Sequence, residues 1–315
     1  MRKTAVIFPL VFVLFNVTLN LHAASFRYAV IPENPRPGEP VTIGVNHDAG
    51  AQSAVLILDG KRRTKAVFFS VPAEGKHQPF MAAALTVPST ARPGTAVIVI
   101  EAATGIIGEI AITIAEREFA SELIELNAAL TGIRTEPDPQ KITEAEHLWS
   151  ILNRSGNDAG YFNFWHFGTF TPPVSSTRRT SFFGDRRVFQ YSNGGRDSSI
   201  HAGIDYGVPA GTEVRACGTG KVVLARNRIV TGNSVIIEHL PGVYSMYYHM
   251  DNLAVSEGAL VTAGTLLGQS GATGLATGPH LHWEIRVAGE NTDPDAFIAR
   301  PLLDKDAILS KLFLK

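Results

Sequence analysis

The sequence predicts a mainly β protein with an N-terminal β-sandwich domain, a helical connector and a C-terminal domain of antiparallel strands. Three observations predict it. Apolar residues alternate with period two at both ends of the chain, as strands with one buried face require. Gly and Pro interrupt these runs at short intervals, where a chain reverses into hairpins. Between the two β regions, one stretch after Asp138 carries a helix start signal followed by apolar residues at helical spacing.

Residues 1–24 read as a secretory signal peptide. Arg2 and Lys3 precede an apolar run from Ala5 to Phe15, and Leu21-His22-Ala23-Ala24 supplies small residues for cleavage. The run is too short to span a bilayer comfortably, so a cleaved peptide is favoured over a signal anchor. The mature chain is therefore expected in the periplasm, in the cell envelope or outside the cell. With no cysteine after the signal there is no lipoprotein-type anchor, and no stable membrane insertion is expected after signal removal.

Residues 25–117 form the expected sandwich. Phe26, Tyr28 and Val30 alternate, as do Val41, Ile43 and Val45, and Ile110, Ile112 and Ile114 close the segment. Further strands are expected at 54–58, 66–71, 80–87 and 95–101, separated by turn signals at Pro35-Arg36-Pro37-Gly38, Asp59-Gly60 and Arg92-Pro93-Gly94. Seven short strands at this spacing suggest an immunoglobulin-like sandwich, read as a binding or positioning module or a spacer.

Residues 118–177 form the connector. Asp138 is the expected N-cap, Pro139 the first helical residue and Gly156 the stop, with Ile142, Ala145, Trp149 and Leu152 as a core-facing stripe. Residues 178–315 hold the C-terminal domain, with strands expected at 221–225, 234–239, 244–249 and 280–287.

The 28 basic and 29 acidic residues leave a net charge of −1, which gives no support to nucleic-acid binding. Lys61-Arg62-Arg63, Arg178-Arg179 and Arg186-Arg187 read as turns and solvated faces. The single Cys217 cannot form an internal disulfide and reads as a small buried residue.

The chemistry is concentrated in two short segments, HAGID and GPHLHWEI. Their residues His201, Asp205, His280 and His282 are spaced by two or four. On extended strands such residues share a face and can converge on one ion. His201 and Asp205 read as strand partners because Gly203 and the following Val208-Pro209-Ala210-Gly211 disfavour a helix. In the second segment Leu281, Trp283 and Ile285 would fill the core while His280, His282 and Glu284 face the other way. Glu284 reads equally well as a carboxylate orienting a ligand histidine and as an exposed strand residue. Imidazole and carboxylate suit zinc, which in catalytic sites keeps a position for water. No HExxH motif is present to supply a glutamate base, so histidine is the proton carrier expected at working pH.

With these motifs the segment from about 178 to 298 resembles the lysostaphin-type (LytM-like) zinc metalloendopeptidases that cut peptidoglycan peptides. The resemblance runs through HAGID, PAGTEVRACGTGKVV, GNSVIIEHLPGVYSMYYHM, VSEGALVTAGTLLGQSGATGLATGPHLHWEI and DPDAF. It implies one Zn²⁺ held by His201, Asp205 and His282, with His249 and His280 as the catalytic histidines. It also implies a flattened β-sandwich with the metal at the floor of a groove, which the loop Gly271–Gly278 would wall. The complete set of five favours an enzyme over a non-catalytic or latent wall-binding activator of other wall hydrolases, the alternative reading. The resemblance further makes Asn153, Asn157, Asn163 and His166 candidates for covering the cleft. His239, at a strand end, reads as structural, and His47, His77 and His147 lack ligand spacing.

Overall fold

In the computed structural model, residues 26–72, 78–153 and 165–313 are described. The expected signal at 1–24, together with His77, Gly156, Asn157 and Asn163, lies outside them.

The N-terminal strands are β1 (Tyr28–Ile31), β2 (Pro40–Asn46), β3 (Ala51–Leu58), β4 (Lys61–Val67), β5 (Phe69–Val71), β6 (Phe80–Thr86), β7 (Gly94–Ala102) and β8 (Gly105–Ile114). They form two four-stranded sheets, ordered β1-β2-β6-β5 and β4-β3-β7-β8. Ile43, Leu56, Leu85 and Ile98 fill the space between the sheets. The run expected as one strand at 66–71 is two, because the chain crosses from one sheet to the other at the buried Phe68. Lys61-Arg62-Arg63, expected in a turn or on a solvated face, stands exposed on β4. The turn is the preceding Asp59-Gly60, where both φ angles are positive (49° and 69°), the geometry a two-residue hairpin needs.

The sheet β1-β2-β6-β5 is apolar on both faces. Its second face places Ala29, Phe69, Val71, Phe80, Ala82 and Ala84 in the core of the C-terminal half. Gly44 on β2 permits this packing, since a Cβ there would lie 2.4 Å from Ile308 Cγ2. Polar links add to it: Thr42 Oγ1 donates to the Leu302 carbonyl at 2.7 Å, and Arg117 pairs with Asp293 at 2.7 Å.

The connector holds β9 (Ser121–Glu125), α1 (Ala128–Thr135) and α2 (Pro139–Leu152). Asp138 caps α2 by accepting from the Gln140 backbone N–H at 2.7 Å. The expected stripe is displaced: Ile142 is 63% exposed and Trp149 51%. The apolar contacts come from the last turns, so the buried face is Leu148, Ile151 and Leu152, packed on Leu224, Ile236, Tyr244 and Met246.

The C-terminal half contains β10 (Arg179–Ser181), β11 (Arg186–Gln190), β12 (Arg196–Ile200), β13 (Gly203–Tyr206), β14 (Glu213–Arg215), β15 (Gly220–Arg228) and β16 (Gly232–Leu240). There follow β17 (Val243–Leu253), β18 (Leu260–Val261), β19 (Leu266–Ser270), β20 (Leu281–Val287), β21 (Glu290–Thr292), α3 (Pro294–Ala299) and α4 (Lys305–Phe313). The main sheet is antiparallel in the order β10-β13-β20-β17-β16-β15-β18. One pair departs from the antiparallel expectation: β9 of the connector runs parallel to β11, so connector and C-terminal half share a sheet, β12-β11-β9.

His239 is a structural histidine, buried on β16. Its Nδ1–H donates to the Thr219 carbonyl and its Nε2 accepts from Ser245 Oγ, each at 2.7 Å. Burial holds its pKa down at about 3. The unfolded chain takes up this proton near pH 6.5 and the folded chain only near 3, so stability falls as pH drops through that window, by up to about 1.4 kcal/mol per pH unit. Urea unfolding of the wild type and His239→Gln between pH 7 and 4 should show an acid slope shallower in the variant by about one proton. Equal slopes would show that His239 does not stay neutral in the fold.

Candidate active site

Asp205 on β13 stands opposite His282 on β20, which stands opposite Tyr248 on β17, while Ser181 on β10 faces Asp205 from the other side. One rung of the sheet therefore carries Ser181, Asp205, His282 and Tyr248 on a single face. The opposite face of β20 sends Leu281, Trp283 and Ile285, all fully buried, into the core. His201 differs from expectation in its position. It sits in the link between β12 and β13 rather than on a strand with Asp205, and the link folds its ring over Asp205.

His201 Nε2 lies 3.1 Å from Asp205 Oδ1 and 3.0 Å from His282 Nδ1, and His282 Nδ1 lies 2.8 Å from Asp205 Oδ1. The second nitrogen of each ring identifies its tautomer. His201 Nδ1 faces the Phe182 carbonyl at 2.8 Å, which can only accept, so the proton is on Nδ1. His282 Nε2 faces Glu284 Oε2 at 3.3 Å. Glu284 opposes its burial with the nearby charges of Arg286 and His282, which bring its pKa to about 2, so it is a carboxylate and also only accepts. The neutral rings thus aim two bare nitrogens and one carboxylate oxygen at a common point.

Such crowding of acceptors needs a cation. Without a metal it takes a proton: burial disfavours the charged His282, but Asp205 and Glu284 outweigh it and raise the pKa to about 9. Burial dominates at His201 and lowers its pKa. Asp205 is held well below the usual carboxylate range, because its polar contacts with the His201 and His282 rings overcome its burial. The donor set and its spacing fit one divalent transition ion.

Residues around this trio fix it in place. Arg187 Nη2 donates to Asp205 Oδ2 at 2.5 Å and its Nε to Glu122 Oε2 at 3.0 Å, leaving Oδ1 for the ion. Tyr248 stacks on His282 with an interplanar angle of 2°. Glu284 is buried and bonded to Arg286 as well as His282, which places it behind a ligand histidine. The arginine pair at 186–187, expected in a turn or on a solvated face, is instead on β11 and partly buried.

His249 and His280 face each other across the groove with ring centroids 4.7 Å apart. Strand alternation alone would turn His249 away from Tyr248. A bulge reverses this: His249 adopts φ +63°, and the β16–β17 register shifts between Asn233 and Val235. His249 Nδ1 donates to the Thr273 carbonyl and His280 Nδ1 to the Gly278 carbonyl, each at 2.8 Å, so both rings keep Nε2 bare. His280 Nε2 lies 3.8 Å from Asp205 Oδ1. Burial, reinforced by His280 and His282, brings the His249 pKa down to about 3.

All five expected residues line one groove of about 500 Å³, walled on one side by Leu275, Thr277 and Gly278 of the glycine-rich loop. Asn153 and His166 do not line it: Asn153 ends α2, and His166 packs on Phe170 and His239.

Residues 199–294 match the family described as Peptidase family M23. That segment of the chain is similar to the domain this family shares. The chain is 38% identical over 173 residues to the peptidoglycan DD-endopeptidase ShyA of Vibrio cholerae, covering 55% of this chain and 39% of ShyA. It is 41% identical over 95 residues to the DD-carboxypeptidase/endopeptidase Mpg of Neisseria meningitidis, covering 30% of this chain and 22% of Mpg. The chain thus spans between about a fifth and two fifths of the length of these curated relatives. A crystal structure of a candidate M23 peptidase from Pseudomonas aeruginosa superposes with a TM-score of 0.56 at 25% identity, covering 84% of this chain and 95% of that one.

Titration with Zn²⁺ or Co²⁺ against a chromophoric chelator should show one high-affinity site, with about one proton released at pH 7. Asp205→Asn and His282→Ala should abolish it, and Arg187→Gln should weaken it roughly 10- to 100-fold. Full affinity in the Asp205 and His282 variants would place the ion elsewhere.

Proposed function

We propose that the protein is an exported zinc-dependent endopeptidase that hydrolyses peptide bonds in peptidoglycan. The observation that carries this reading is the convergence of two imidazole nitrogens and a carboxylate oxygen beside two histidines whose bare nitrogens face the same groove. Two imidazoles and a carboxylate favour zinc and leave a coordination position for water. The similarity to the M23 family and the identity with ShyA support peptidoglycan as substrate.

His201, Asp205 and His282 would hold the ion, which when bound lowers the pKa of water to about 7 and polarises a carbonyl. His249 is neutral at pH 7, so its Nε2 can take the proton of the attacking water, and His280 presents an equivalent Nε2. The ring that takes the proton becomes a cation beside the tetrahedral intermediate and passes the proton to the leaving amine. Export follows from the segment 1–24, and among the described residues no helix is long and apolar enough to cross a membrane. In this reading residues 25–117 are a positioning module joined through the connector 118–177 to the peptidase segment 178–315.

Purified peptidoglycan incubated with the zinc-loaded protein should yield new peptide termini detectable by mass spectrometry. A chelator should abolish them, and His249→Ala or His280→Ala should each slow their release by about 10²- to 10⁴-fold. Intact wall after incubation with the zinc-loaded wild type would favour the activator reading.

A further inference from the structure

Three carboxylates line the groove, and each is already engaged: Glu122 by Arg187, Asp205 by Arg187 and the histidines, and Glu284 by Arg286 and His282. Two of the three groove-lining arginines are likewise paired, Arg187 as above and Arg134 with Asp197 at 2.8 Å. Arg178 is the third. Among the described residues no carboxylate lies within ion-pair distance of its guanidinium, which donates from Nη1 to the Gly207 carbonyl at 3.2 Å.

The position of that guanidinium is built into the sheet. Arg178 and Gly207 are joined twice, by this bond and by the Gly207 N–H donating to the Arg178 carbonyl at 3.1 Å. A Cβ on Gly207 would lie 2.2 Å from Arg178 Nη1 and 3.0 Å from Cζ. The guanidinium therefore occupies the space that a side chain at 207 would take. Residues 205 and 207 project to the same face of an extended strand, so that space is on the face that carries Asp205. The register pairing Tyr206 with Leu281 brings Gly207 beside His280 in the next rung. A positive, planar, bidentate donor thus stands two rungs from the proposed metal ligand, on the same face, and next to a proposed catalytic histidine.

We infer that Arg178, seated over Gly207, forms a carboxylate-binding subsite that reads a free α-carboxylate carried by the substrate peptide within one residue of the bond that is cut. The inference rests on the endopeptidase reading and adds a substrate requirement to it. Its unengaged guanidinium nitrogens match the fork geometry of a carboxylate, and the charge assists the bond. The subsite distinguishes stem peptides with a free carboxylate next to the scissile amide from those in which it is amidated.

The test compares two synthetic cross-linked peptides that differ only in a carboxylate or a carboxamide at that position. The enzymes are the zinc-loaded full chain as wild type, Arg178→Gln, Arg178→Lys and Gly207→Ala, with kcat/KM measured for each peptide. Wild type should prefer the carboxylate by roughly ten- to a hundredfold, the range expected of a charge-assisted bond. Arg178→Gln should bring the ratio near one, Arg178→Lys should restore part of it, and Gly207→Ala should lower it by displacing an intact Arg178. Melting curves and zinc affinity show whether each variant is folded, and calorimetric binding of the two peptides to His249→Ala gives the same preference without turnover. Wild-type cleavage with no preference, or a preference that survives in Arg178→Gln, overturns the inference while leaving the endopeptidase reading intact. Failure of the wild type to cleave either peptide removes the endopeptidase reading and the inference with it.

Discussion

Two imidazole nitrogens and a carboxylate oxygen that cannot share their own protons, held within 3.1 Å of one another, are the constraint from which the rest of the site follows. Such an arrangement is repulsive unless a positive charge occupies the point between them. It persists because each member is fixed from behind: His201 by a carbonyl, His282 by a buried glutamate and Asp205 by an arginine. Removing any of these supports changes a tautomer or frees a carboxylate to rotate, and the charge at the centre loses a ligand.

The fold supplies this precision through sheet register. Asp205, His282 and Tyr248 come from three neighbouring strands yet occupy one rung, so pairing errors of a single residue would send all three into the core. Trp283, fully buried between His282 and Glu284, opposes such a slip by requiring the opposite face. The same logic extends outward. The parallel pairing of β9 with β11 carries Glu122 to Arg187, and through it the connector reaches the Asp205 carboxylate. On the far side, an N-terminal sheet buried on both faces joins the core beneath the C-terminal half.

Much of the site was legible in the sequence because strand alternation is a strong signal. The HLHWEI run told which side chains face the core and which face the groove, and β20 follows it residue by residue. His201 was placed near Asp205 for the wrong local reason, since a link, not a strand, brings the two together. Arg187 and Glu122 gave no signal, because their partners are distant in sequence and are reached only through a parallel pairing that periodicity cannot reveal. The outward turn of His249 depends on a bulge, which alternation would have argued against. The helix start at Asp138 was readable from capping chemistry, but its buried face was not, because that face depends on which end of the helix meets the sheet.

X-ray absorption spectroscopy on the zinc-loaded protein tests the central claim most directly. The account predicts two imidazole nitrogens, one carboxylate oxygen and one further light atom from solvent, at about 2.0–2.2 Å. The imidazole signal should be unchanged in His249→Ala and reduced in His201→Ala. Loss of an imidazole in His249→Ala, or a thiolate at about 2.3 Å, would contradict it.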